Sequence, residues 1–294
     1  VMGLRGQGQG SLREFGVNYR ELAMTDGGTI DWASLKTAVG PSTKLVLIQR
    51  SCGYSWRPSL TIADIEKIVA LVKQQNPETV CFVDNCYGEF VETQEPTAVG
   101  ADLMAGSLIK NPGGTIATAG GYVAGRADLV EKATFRLTAP GIGASGGATL
   151  NQNRLFFQGL FLAPQMVGEA LKANYLLAST FHKLGYPVSP PVEAPQRDVI
   201  QAIQLGSREK LIAFCRAIQQ WSPVEAYVDP VPAEMPGYES QLVMAGGTFI
   251  DGSTSELSAD GPLREPYIVY CQGGTHWTHA ALAIEAAVDA IGPA

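Results

Sequence analysis

Asp84 closes an apolar run, Val80–Asp84 (VCFVD), and Lys110 stands 26 positions later in Ser107-Leu108-Ile109-Lys110-Asn111-Pro112-Gly113-Gly114, just after a second apolar stretch. Open α/β sheets bind ligands at the carboxyl ends of their strands, so a carboxylate and an amine on neighbouring strand ends would face one site. Together they suit one chemistry. The lysine can form a Schiff base with pyridoxal phosphate, while the carboxylate pairs with the protonated pyridine nitrogen and keeps the ring an electron sink. Taken singly, each reads as a surface lysine or a turn-capping aspartate, so only the pair points to this chemistry.

Other residue patterns invite different chemistry. Gly143-Ala144-Ser145-Gly146-Gly147 matches G-x-S-x-G, the nucleophile elbow of α/β-hydrolases, and Asp251 or Asp260 with His276 or His279 would supply the rest of a triad. An elbow needs an apolar strand before its serine, and Thr138-Ala139-Pro140-Gly141 does not resemble one. His276-x-x-His279 with Cys271 lacks a clear further metal ligand. Cys81 and Cys86 read as core sulfur along a buried strand end. The glycine-rich start, Gly6 to Gly10, has no strand before it and so makes a poor dinucleotide fingerprint.

The elements that must position Asp84 and Lys110 are legible. Lys44–Gln49 (KLVLIQ) and Val80–Asp84 are nearly continuous apolar runs, as expected of strands buried in a parallel sheet. Between them, Thr61–Gln75 carries Ile62, Ile65, Ile68, Val69 and Val72 at helical spacing, with Thr61 and Asp64 arranged as a capping box. Strand, helix, strand makes a βαβ unit. Leu103–Leu108 and Gly121–Ala124 read as further strands and Asp128–Thr134 as a helix. A long helical stretch then covers Ala148–Leu184, with a break or kink expected at Pro164. Past a Pro-rich linker, Pro187–Pro195, come a strand (Val199–Leu205), a helix (Arg208–Trp221), strand-like runs (Gln241–Phe249, Tyr267–Cys271) and a closing helix (His276–Ile291). The reading is α/β, with a mostly parallel sheet in a large domain, residues 1–186, and a smaller C-terminal α/β domain, residues 187–294.

Composition narrows the function classes. With Lys+Arg 21 against Asp+Glu 28, the 294-residue chain carries a net charge of −7, which disfavours nucleic acid as a partner. No apolar run is long enough to span a bilayer and no leader opens the chain, so no membrane association and a cytoplasmic location are expected. Five scattered cysteines suit a reducing compartment better than a disulfide framework.

Val83-Asp84-Asn85-Cys86, Gly100-Ala101-Asp102, Ser107-Leu108-Ile109-Lys110 and Gly120-Gly121-Tyr122-Val123-Ala124-Gly125 follow one another as V-D-N-T, G-A-D, S-x-T-K and a glycine-rich strand do in the fold-type I pyridoxal-phosphate enzymes of cysteine and methionine metabolism. The segments DNCYGEF, SLIKNPGG and GATLNQNR more closely resemble the aluminium-resistance and methionine γ-lyase-related branch. The resemblance implies an aspartate aminotransferase-type fold and a pyridoxal 5'-phosphate-dependent lyase. Its substrate would be a sulfur-containing amino acid, cleaved at carbon–sulfur by α,β- or α,γ-elimination. Racemisation or transamination would use the same groups.

By the same resemblance, Lys110 forms the Schiff base and then shuttles the substrate α-proton, Asp84 holds the pyridine nitrogen, and Ser107 binds the phosphate. Ser51 falls near the cofactor's phenolic oxygen, with Arg50 and Cys52 as alternatives. Arg264 would fork the substrate carboxylate; it reads equally as an ordinary loop arginine. Ile109 replaces the threonine of S-x-T-K, removing a hydroxyl from the phosphate cup. The family's phosphate-binding glycine loop and ring-stacking aromatic would lie upstream of Val1, so the chain reads as part of a longer protein. Members of the family are homo-oligomers, dimers or tetramers with shared active sites. The competing classes are a serine hydrolase using Ser145 and a non-catalytic α/β scaffold.

Overall fold

A computed structural model of the chain describes residues 10–294. The glycine-rich start up to residue 9 lies outside the described residues. After a short helix α1 (Trp32–Ala38), strand β1 (Leu45–Gln49) leads through helix α2 (Ile62–Gln75) to β2 (Val80–Asp84), then to β3 (Leu103–Ser107) and β4 (Gly121–Gly125). These four strands form one sheet in that order; β1, β2 and β3 are mutually parallel and β4 is antiparallel to β3. Helix α2 starts at a full capping box, with the Thr61 side chain on the Asp64 amide and the Asp64 carboxylate on the Thr61 amide. Its buried residues are Ile62, Ile65, Ile68, Val69 and Val72, packed against Ile48, Cys81 and Val83 of the sheet.

Helix α3 (Ala127–Leu137) follows β4, and the long helix α4 (Asn153–Lys183) then leads to a second sheet. Strands β5 (Val188–Ser189), β6 (Ile200–Gln204), β7 (Leu242–Ala245), β8 (Ser258–Pro262) and β9 (Ile268–Gln272) pair in the order β5-β6-β9-β8-β7, antiparallel throughout. Helices α5 (Arg208–Gln220) and α6 (Trp277–Ile291) join the C-terminal half of α4 over this sheet. Phe181, Phe214, Leu211, Ile218, Val269 and Ile284 meet there in the largest core of the molecule.

Several expectations are corrected. The expected strand Gln241–Phe249 ends at Ala245, because Gly246 and Gly247 turn the chain so that their amides meet Gln219 and Ser222. Strand β8 went unread in Ser-Ala-Asp-Gly-Pro, and the Pro187–Pro195 linker contains β5. Helix α4 runs unbroken through Pro164. Its backbone is held there by close packing, since Gly159 lies directly against the Gly113–Gly114 backbone and Ala163 is fully buried beside it. Neither Gly114, at φ +53°, nor Gly159 has room for a β-carbon, which accounts for the paired glycines after Lys110.

Asp102, the aspartate of the G-A-D segment, fastens the first sheet. Its Oδ2 accepts from Lys73 Nζ at 2.6 Å and from the Cys81 amide at 2.8 Å, while Oδ1 accepts from Arg126 Nη1 at 3.2 Å. Burial alone would raise its pKa, but these three donors outweigh that and hold it below the ordinary aspartate value. The folded form therefore favours the carboxylate, a stabilisation present above about pH 4 and lost as pH falls through the depressed value. Asp102→Asn is expected to lower the unfolding free energy at pH 7 by about 2 kcal/mol and to flatten the acid limb of the stability curve. Urea unfolding from pH 3 to 7 measures both.

Candidate active site

The ends of β1 and β2 stand side by side, Gln49 paired in register with Asp84 and Asp84 with Ala105 of β3. Past Asp84 the chain turns sharply through Asn85-Cys86-Tyr87-Gly88, with Tyr87 at φ +71°. The Asp84 carboxylate accepts from the Cys86 amide at 3.2 Å, which fixes it at the lip of the sheet. Arg50, with no exposed surface, lies beneath this turn. It donates to Asn85 Oδ1 and to Glu92 Oε1, both at 2.9 Å, and approaches so closely that only glycine fits at position 88.

Lys110 heads a 3₁₀ turn, Asn111–Gly113. The Asn111 side chain donates to the Glu89 carbonyl at 3.1 Å, tying the lysine's turn to the segment that follows Asp84. The Lys110 ammonium sits over the Tyr87 ring, 4.1 Å from its centroid. Burial lowers the lysine's pKa, but Tyr87, Cys86 and Asp84 together outweigh it and raise the net value. Glu89, buried and accepting from the Tyr122 hydroxyl at 2.9 Å, has its pKa pushed up to about 7, mainly by burial.

Asp84 and Lys110 open on one cavity of about 250 Å³. Ser51 and Tyr87 line it from the first-sheet side, and Asp260, Tyr270 and Gln272 reach it from β8 and β9. An amine, a carboxylate and hydroxyl groups around one cleft are a donor set that fits a pyridoxal cofactor. Burial is the main cause that pushes the Asp260 carboxyl up to about 7.

The remaining candidates divide between the cavity wall and places away from it. Ser51 lines the cavity, yet its hydroxyl donates to the fully buried Asp198 at 2.9 Å, so its proton is committed. Arg50 is enclosed by its own partners, and Cys52 is buried with its thiol pKa pushed up to about 12 by burial. Ser107 ends β3 without lining the cavity, and its hydroxyl accepts from the Ile109 amide at 3.3 Å. Arg264 is exposed and donates to the Tyr54 carbonyl at 3.2 Å, outside the cavity wall. Ser145 is exposed in a 3₁₀ turn between helices α3 and α4, with no strand leading into it, so the hydrolase elbow is not built. His276 caps α6 and His279 meets the Trp221 carbonyl, so neither joins Ser145 or Cys271. Among the described residues no helix is long and apolar enough to cross a membrane.

A profile of the methionine gamma-lyase family matches residues 1–292. The chain belongs to the methionine gamma-lyase family. The chain is 49% identical over 292 residues to YnbB of Bacillus subtilis, covering 99% of this chain and 69% of YnbB. It is 45% identical over 290 residues to a 33.9 kDa protein of Lactobacillus delbrueckii subsp. bulgaricus, covering 98% and 95% respectively. A carbon-sulfur lyase involved in aluminum resistance from Clostridium novyi NT superposes with a TM-score of 0.92 at 46% identity, over 98% of this chain and 68% of that one. The protein is thus related to carbon–sulfur lyases of that kind. Cystathionine gamma-lyase from Lactobacillus plantarum, at 16% identity and a TM-score of 0.63, covers 96% of this chain and 72% of its own, and shares the fold. The overall architecture is that of fold-type I enzymes, with a mixed first sheet and an antiparallel second one.

Sequence reading considered Asp260 only as a hydrolase candidate, gave Tyr87 no role of its own, and passed over Tyr54, Tyr270 and Gln272 as site residues. The only sequence signal at Tyr87 was its place in the DNCYGEF turn. Tyr87→Leu removes the ring beneath Lys110 and is expected to lower the lysine's pKa. The pH dependence of Lys110 labelling by an amine-reactive reagent, read by peptide mass spectrometry, should show the midpoint moving down relative to the parent.

Proposed function

We propose that the protein is a pyridoxal-phosphate-dependent lyase that breaks a carbon–sulfur bond in a sulfur-containing amino acid. What supports this reading is the meeting of Lys110 and Asp84 on one cavity wall at the carboxyl ends of adjacent strands, in a family of carbon–sulfur lyases. When bound, the cofactor supplies an electron sink for the charge that develops at the substrate Cα.

The chain's own residues would do the rest. Lys110 would hold the cofactor through its ε-amino group and would serve as the general base for the substrate Cα proton. Asp84, fixed by the Cys86 amide, would pair with the cofactor's ring nitrogen and hold a proton there. Tyr87 packs against the lysine and limits its swing. The Tyr54, Tyr238 and Tyr270 side chains line the same cavity and would limit the access of water to the reacting carbon. We place the active assembly as a homo-oligomer acting on a free amino acid in the cytoplasm. Sedimentation of the purified protein tests its state of association.

Carbon–sulfur cleavage releases a thiol, ammonia and a 2-oxo acid, each separately assayable. The parent protein supplied with pyridoxal phosphate is expected to release all three from a sulfur-containing amino acid. Lys110→Ala is expected to release none. Asp84→Asn should lower turnover by roughly 10²-fold, typical of losing one preorganised electrostatic partner. Undiminished turnover in Lys110→Ala overturns the reading.

A further inference from the structure

A thiolate expelled into a cleft that limits water needs a proton, and Lys110 and Asp84 are already committed, one to the Cα proton and one to the ring nitrogen. The donor must come from the other ionisable side chains of the cavity wall, Tyr54, Cys86, Tyr87, Tyr238, Asp260 and Tyr270. Acid strength separates them. An aliphatic thiol has a pKa of about 8.5, so proton transfer to its thiolate is downhill only from a stronger acid. Burial pushes the Cys86 thiol up to about 11 and raises the already weak phenols of Tyr54, Tyr87 and Tyr270. Asp260, pushed up to about 7 by burial, is a stronger acid than the thiol and still holds its proton in part at neutral pH.

Its placement suits the task. Asp260 stands in the middle of β8, paired with Met244 of β7 on one side and with Tyr270 of β9 on the other, so its backbone is held from both sides. It is 5% exposed and lines the same cavity as Lys110. Gln272 Nε2 donates to its Oδ2 at 2.7 Å and the Tyr54 hydroxyl reaches the same oxygen at 3.4 Å. A carboxyl so held turns one oxygen to fixed donors and carries its proton on the other. Facing it are Tyr54, Tyr87 and Lys110, from the ends of the first sheet, and Cys215 and Cys271, from α5 and β9. Burial, the larger effect, favours the neutral acid, and the Lys110 charge opposes it.

We propose that Asp260 is a catalytic residue of the same reaction, donating its carboxyl proton to the sulfur as the carbon–sulfur bond breaks. This rests on the lyase reading above and names its proton donor. The Cα–H bond breaks with its proton on Lys110, the C–S bond breaks with its electron pair on sulfur, and an S–H bond forms with the proton of Asp260. The thiol departs neutral, and the Asp260 carboxylate recovers its proton from water as product leaves. No oxidant or reductant enters.

Leaving groups of different basicity test it. The S-ethyl derivatives of L-cysteine and L-homocysteine expel a basic alkyl thiolate, which needs the proton. The S-(4-nitrophenyl) derivatives expel a stabilised aryl thiolate, which does not. On the cofactor-loaded protein, Asp260→Asn is expected to lower the ratio of S-ethyl to S-(4-nitrophenyl) kcat by about 10²-fold, within the range of general acid catalysis. Asp260→Glu should restore part of that ratio. Uptake of the cofactor by each variant, followed by absorbance, shows that it is folded. Where Asp260→Asn does not fold, the parent protein decides: S-ethyl turnover should fall as pH rises through the Asp260 pKa, because the acid form is lost, while nitrophenyl turnover does not share that fall. Equal slowing of both leaving groups in Asp260→Asn, or one shared pH profile in the parent, overturns the proposal and leaves the lyase reading standing. A parent protein that cleaves none of the four substrates overturns the lyase reading, and the proposed donor with it.

Discussion

A fully buried guanidinium sits where the site is built. Arg50 follows β1 and has no exposed surface, and an unpaired charge in that position would be prohibitive, so the chain must bring acceptors to it. Asn85, at the end of β2, supplies one, and Glu92 supplies a second at 2.9 Å. Glu92 also accepts from the Ile62 amide in the first turn of α2, so one carboxylate serves both the arginine and a helix start, where negative charge is favoured. Asn85 in turn donates to Glu95 at 2.8 Å and to the Tyr122 hydroxyl of β4 at 3.3 Å. The ends of β1 and β2, the start of α2 and the antiparallel β4 are thereby joined through one buried charge. Asp84 and the turn after it are placed as a consequence.

The second sheet completes what the first begins. Its antiparallel pairing puts Asp260 opposite Tyr270, and the neighbouring pair Ser258 with Gln272 brings the Gln272 amide within reach of the Asp260 carboxylate. Asp198 binds the Ser51 and Ser59 hydroxyls and the Ile200 amide, which fastens the start of β6 to the loop after β1. The cavity is therefore closed by two sheets whose relation is set by buried hydrogen bonds as well as by apolar contact. Polar groups so enclosed fix one arrangement because any other leaves them unpaired.

Much of this was legible in the residues. The β1–α2–β2 unit could be read because its apolar spacing and its capping box specify the same element, and every predicted core position of α2 is buried. The joint position of Asp84 and Lys110 could be read because both follow buried strands of one sheet. Strand β8 could not, since Ser, Ala, Asp, Gly and Pro are weak strand formers and carry no alternation. Tertiary fit makes it a strand, with Gly261 enclosed between Leu211 and the Ile268 carbonyl, where a larger residue would collide. Pro164 misled for a related reason, because packing of Gly159 and Ala163 overrides a local helix breaker. Asp260 was missed as a residue sharing a cavity with Lys110 because that depends on how two sheets far apart in sequence meet.

The proposed chemistry stands or falls with Lys110 as the residue to which the cofactor attaches. Borohydride reduction of the protein with pyridoxal phosphate, followed by peptide mapping, tests it most directly. A pyridoxyl group is expected on the peptide containing Ser107-Leu108-Ile109-Lys110, at Lys110 and at no other lysine in comparable yield. A label distributed over surface lysines, or absent from Lys110, would contradict it.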